Sequence, residues 1–177
     1  MFKNKYLIID IYYLKKMVYN LQDIIKNQNS YLESLSENED NFISFITLKN
    51  LKSEDIFELD GVLRIQYKNK DIIPLDCWDD IPTLLIYFLN ALEECAVNKT
   101  AEFYFPDQPL NIKMELQDNY INLIFEGIEN KIDKNLFLEE FLGISKLFFE
   151  LLVKKLNYKS YENELLQIEN IKSIFNL

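Results

Sequence analysis

The chain has 177 residues, 19 basic against 29 acidic side chains and a net charge of -10, so a phosphate backbone is repelled over most of its surface and nucleic acid is excluded as a direct ligand. Its hydrophobic fraction of 49% and aromatic fraction of 14% exclude a disordered chain and predict one self-folding domain. Histidine is absent and glycine numbers three, which excludes Ser-His-Asp and Cys-His catalysis, histidine metal centres and glycine-rich phosphate cradles.

From Leu7, apolar residues recur at Ile11, Leu14, Val18, Leu21, Ile25, Leu32 and Leu35 in steps of three and four, interrupted only by Gln28. This spacing predicts an N-terminal helix over 1–36, although Tyr6-Leu7-Ile8-Ile9 also suits the start of a strand. The acidic run Ser34 to Asn41 ends that helix as a loop. Short strands are expected across 42–75, at Phe42–Leu48, Ile56–Leu59, Val62–Tyr67 and Asp71–Leu75, with Asp60-Gly61 as a type I′ hairpin turn.

A helix over 76–98 follows, with Trp78, Ile81, Leu85, Phe88, Leu92 and Cys95 on one face. Asp79 or Asp80 supplies its N-cap, and Pro82 sits in the first turn, where a missing N–H is harmless. Alternating strands fill 101–132, separated by the turns Pro106-Asp107-Gln108-Pro109, Gln117-Asp118-Asn119 and Gly127. The segment 135–177 is helical, opening with a central helix capped by Asp133 or Asn135 and apolar over a wide arc from Phe137 to Leu152. The expected fold is therefore α+β: one antiparallel sheet of about six strands, covered by two long amphipathic helices, with an N-terminal helix alongside.

Cys77 and Cys95 stand outside any CxxC or Cys/His pattern and read as free thiols of a reducing compartment, and no stretch is long and apolar enough to span a membrane. A cytoplasmic protein without cofactor, metal or membrane is expected. Carboxylates are the remaining chemical groups. Asp76, Asp79 and Asp80 precede one helix, Glu93 and Glu94 end it, and Glu139-Glu140 lie in the first turns of another. Two converging acids would suit glycoside hydrolysis or Mg²⁺, but acids at helix starts are accounted for by capping and the helix dipole. A binding protein is expected rather than an enzyme.

The segments Trp78-Asp79-Asp80-Ile81, Tyr87 to Glu93, Glu102-Phe103-Tyr104-Phe105-Pro106-Asp107-Gln108-Pro109 and Phe137-Leu138-Glu139-Glu140-Phe141-Leu142 resemble small bacterial immunity proteins encoded beside secreted polymorphic or contact-dependent toxins. The resemblance implies an antitoxin that occludes a basic toxin domain, with Asp79, Asp80, Glu102 and Asp107 as first candidates for partner contact. The alternative from the residues themselves is a scaffold that self-associates through the Leu7–Leu35 stripe.

Overall fold

The computed structural model describes residues 6–48 and 58–177. The chain is α+β, with two antiparallel sheets in place of the single six-stranded sheet expected. In chain order come β1 (Leu7–Leu14), α1 (Leu21–Lys26), α2 (Gln28–Tyr31), β2 (Leu32–Ser34), α3 (Glu39–Leu48), β3 (Asp60–Tyr67), β4 (Lys70–Ile73) and β5 (Asp79–Asp80). Then follow α4 (Ile81–Asn98), β6 (Thr100–Tyr104), β7 (Asn111–Leu116), β8 (Tyr120–Phe125), β9 (Ile128–Asp133), α5 (Lys134–Glu150) and α6 (Glu162–Phe175). The first sheet runs β2-β1-β3-β4, with β5 also paired to β3, and the second is the meander β6-β7-β8-β9.

The N-terminal helix is corrected to a strand. Residues 7–14 are buried at nearly every position, so a helical spacing of apolar residues is satisfied there by a run that is apolar except for the buried Asp10. Ile8, Ile9, Ile11, Tyr12 and Tyr13 are β-branched or aromatic and fit a pleated surface, and β1 takes an interior place between β2 and β3. No helical seam exists over Leu7–Leu14 for self-association. The rest of the predicted helix becomes the short α1 and α2 followed by β2.

Phe42–Leu48 is corrected in the opposite direction, from strand to helix. Glu39 and Asp40 occupy the first turn of α3 and favour its dipole, while Phe42 and Ile46, one turn apart, are buried against the core. The β-branched Ile43, Ile46 and Thr47 gave the segment its strand-like composition. Of the strand expected at Ile56–Leu59, the first two residues lie outside the described residues, and Leu59 is buried just ahead of β3.

Asp60-Gly61 is not a turn either. Both residues lie within β3, where Gly61 pairs with Tyr13 on one side and Asp79 on the other. The β3–β4 hairpin turns instead at Lys68 and Asn69, whose φ angles of 51° and 63° are those of a two-residue type I′ loop closed by the Tyr67–Lys70 pair. Gly61 answers a different need. A Cβ there would lie 2.4 Å from the Tyr12 carbonyl oxygen and 2.8 Å from Ile81 Cγ1, so the strand approaches its neighbours in a way no side chain permits. The β8–β9 hairpin turns at Glu126 and Gly127, both at positive φ, as the glycine there suggested.

The helices join the two sheets into one core. α4 begins with Asp80 as N-cap and Pro82 in its first turn, and ends on Lys99 in the left-handed conformation. It packs on β6 and β7 of the second sheet and reaches β3 of the first. α5, capped by Asp133, touches β1 as well as β8 and β9, and buries Phe137, Phe141, Phe148 and Phe149 between the sheets. A wide turn at Leu151–Lys155 and the Tyr158–Tyr161 segment then bring α6 back across α4 and α5. Trp78 precedes α4 rather than opening its apolar face, and packs half-buried on a smaller cluster of Leu14, Ile24, Leu32 and Val62.

Replacing Gly61 with alanine is expected to destabilise the fold by about 3 kcal/mol or more, because the obstructing atom is backbone and cannot rotate away. Chemical denaturation of the purified variant reads this directly.

Candidate functional site

The four residues singled out from the sequence fall into two groups, one structural and one exposed. Asp79 is 1% exposed. Its carboxylate accepts the backbone N–H of Asp80 at 2.7 Å and that of Asp107 at 3.1 Å. It thus bonds the β6–β7 turn of the second sheet to the β5 strand of the first. Trp78 strengthens the same junction, its carbonyl accepting a bond from the Gln108 side-chain amide. Burial pushes the Asp79 carboxyl above the ordinary aspartate range, although the two amide bonds pull it back in part.

Asp80 is half-buried and fully employed. One carboxylate oxygen accepts from the Leu59 N–H at 2.9 Å and the other from the Thr83 N–H at 3.2 Å, so the side chain caps α4 and ties down the strand entering β3. Glu102 and Asp107 are the two candidates on the surface. Glu102 projects from β6 and accepts a bond from the Asn111 amide at 2.9 Å, while Asp107 uses only its backbone at the Asp79 junction.

Glu102 belongs to a larger feature, the outward face of the second sheet. The register aligns Glu102 with Lys113, Ile124 and Glu129, and Thr100 with Glu115, Asn122 and Lys131. The alternate residues Ala101, Ile112, Met114, Leu116, Ile121, Leu123, Phe125 and Ile132 enter the core beneath α4 and α5, so this face looks away from both helices. Lys113 bonds Glu115 at 2.6 Å, and the Asn122 amide donates to Glu115 at 3.1 Å and to Glu129 at 3.3 Å. That pairing with Lys113 holds Glu115 below the usual carboxylate range. Glu126, at the β8–β9 turn, accepts from the Asn111 N–H and adds a further acid to the rim.

Two further carboxylates, Glu93 and Glu140, stand in different surroundings. Glu93 is bound by Gln167 and Asn170 of α6, where it fixes one helix to another. Glu140 is raised by burial and then by the neighbouring Glu139. Among the described residues, no group of three or more cysteine, aspartate or glutamate side chains is arranged to hold a metal ion, and no helix is long and apolar enough to cross a membrane. Both cysteines are free. Burial and nearby acids push Cys77 up to about 12 and Cys95 up to about 11, so each thiol stays protonated at neutral pH and is a poor nucleophile.

Sequence reasoning found Glu102 but not the face to which it belongs. The alternation Glu102/Tyr104, Lys113/Glu115 and Glu129/Lys131 was readable as three polar strand faces. Their alignment required the register, which the hairpin turns set.

Removing the Asp79 carboxylate tests the junction. Asp79→Ala leaves two backbone N–H groups without their acceptor and is expected to cost about 2 kcal/mol, with faster amide exchange at Asp107. At Glu140, by contrast, removing the charge is expected to stabilise the fold. Its raised pKa means that the folded state favours the proton, so ionisation at neutral pH works against folding. Glu140→Gln should therefore melt higher than the parent at pH 7, and the difference should vanish as pH falls below the ordinary carboxylate range near ~4.

Comparison of the chain with protein-family models, curated proteins and solved structures finds no match.

Proposed function

We propose that this chain is a non-catalytic binding protein of the immunity type, which neutralises a basic toxin domain by covering its active or substrate-binding surface. The observation that carries the reading is the outward face of the β6–β9 sheet. It combines Glu102, Glu115, Glu129 and the rim residue Glu126 with two lysines, Lys113 and Lys131, on a rigid antiparallel platform. The overall charge of -10 adds a long-range attraction to any basic partner. A toxin that must approach nucleic acid is basic for that reason, and an acidic inhibitor competes for the same surface.

Size argues that the face does not act alone. Four strands at about 4.8 Å spacing and six residues at about 3.4 Å rise give a platform of roughly 400 Å². A stable interface takes about 800 Å² from each partner. The contact surface therefore extends beyond the sheet, and the β6–β7 turn carrying exposed Asp107 adjoins it. Asp79 and Asp80 serve this role indirectly, since they hold that turn and the α4 start in place.

The experiment is affinity capture on the tagged protein from lysate and secreted fractions of its source at low and moderate salt, followed by assay of the retained domain. The expected result is a basic domain whose retention weakens with salt, whose toxic activity falls to background at one equivalent, and whose affinity drops at least tenfold with the Glu102→Lys/Glu129→Lys pair. Undiminished affinity after both charge reversals, or a captured domain that stays fully active in the complex, would overturn the proposal.

A further inference from the structure

Where β6 meets α4, at the edge of the second sheet, lies a cavity of about 210 Å³ lined by Tyr87, Asn90, Ala91, Glu94, Glu102 and Phe103. This is smaller than the roughly 300–1,000 Å³ of sites that engulf a small molecule, and suits a single long side chain. Its lining has a definite chemistry. Phe103 stands edge-on to Phe88 at 4.9 Å and to Tyr87 at 6.1 Å, so the aromatic wall is buttressed from the core. Tyr87 remains 39% exposed.

Two carboxylates and no cation complete the lining. Glu94 and Glu102 form no ion pair among the described residues. The nearest ammonium across the ladder from Glu102, that of Lys113, is committed to Glu115 at 2.6 Å. The exposed Asn90 side chain accepts a bond from Gln167 at 2.9 Å, which fixes one edge of the cavity, and the buried Ala91 lies beneath. An aromatic wall beside two acids, of which Glu102 also accepts a bond from the Asn111 amide, favours a flat cation that offers both a face and several donors. A guanidinium meets that description better than an ammonium, because it stacks on rings and forks its N–H groups toward carboxylates.

We propose that this cavity is the anchor pocket of the binding surface and receives one arginine side chain of the partner protein. The proposal rests on the binding role argued above and gives it a central contact. A buttressed pocket with an aromatic side and charged partners is where hot-spot energy concentrates, whereas exposed charge pairs on the sheet face chiefly guide encounter.

The probe is N-acetyl-arginine methylamide, titrated at millimolar concentration into the ¹⁵N-labelled protein, with the N-acetyl-citrulline methylamide counterpart as a neutral control of the same shape. Saturable amide shifts are expected at Tyr87, Asn90, Glu94 and Phe103, with at least tenfold weaker binding of the citrulline compound. The Glu94→Gln/Glu102→Gln variant removes charge from two exposed positions without changing shape, and should lose the arginine response while the rest of its spectrum is unchanged. Scattered shifts that do not saturate, equal binding of the citrulline compound, or an undiminished response in the variant would each overturn the pocket. The two proposals fail separately. A toxin neutralised equally well by the Glu94→Gln/Glu102→Gln variant would refute the pocket alone, whereas arginine binding by a chain that neutralises nothing would refute the immunity role alone.

Discussion

A buried carboxylate stands where the two sheets meet. Asp79 belongs by pairing to the first sheet, yet it is bonded to the turn of the second, and its neighbour Asp80 starts the helix that runs between them. In a nearly dry position, the carboxyl group is tolerated because backbone amides point at it from both sheets. The result is an orientation as well as a bond. The β6–β7 turn, the α4 start and the β3 entry are all held within three consecutive residues, Trp78 to Asp80. Every surface argued to contact a partner is carried on elements that this segment positions.

The second half of the fold was legible because its signals were redundant. In β6 to β9, alternation, turn residues and strand length agree; in α4 the cap, the proline and the apolar arc agree, and in α5 the cap and the apolar arc. The first half carried conflicting signals. Residues 7–14 satisfy a helical template only because they satisfy nearly every apolar template, and their β-branched content was the better guide. Residues 39–48 show the reverse conflict, since two acids at the start outweigh strand-like side chains once Phe42 and Ile46 have a core to enter. Asp60-Gly61 misled for a more specific reason. Glycine serves both tight turns and close backbone approaches, and only the three-dimensional neighbours Tyr12 and Ile81 distinguish them.

The site was legible in part. Carboxylates near distinctive segments were visible in the sequence, but whether each faces solvent or the interior was not, and this divides Asp79 and Asp80 from Glu102 and Asp107. The pocket of Tyr87, Glu94 and Glu102 joins a helix to a strand. No local pattern records such a meeting. It arises because α4 lies against the edge strand β6, which follows it after the single left-handed residue Lys99.

The two sheets differ in how far along the chain their partners lie. In the second, each strand pairs with the next across a short turn, so little entropy is lost in closing it. In the first, β1 is flanked by β2 and β3, and β3 arrives only after the whole stretch between Leu14 and Asp60 has been made. Strand β1 is thus among the last of these strands to find both neighbours. Assembly is biased to begin at the meander and its two helices, with the N-terminal strand docking onto a platform already formed, an order that pulse-labelled amide exchange during refolding would register as late protection of Leu7–Leu14.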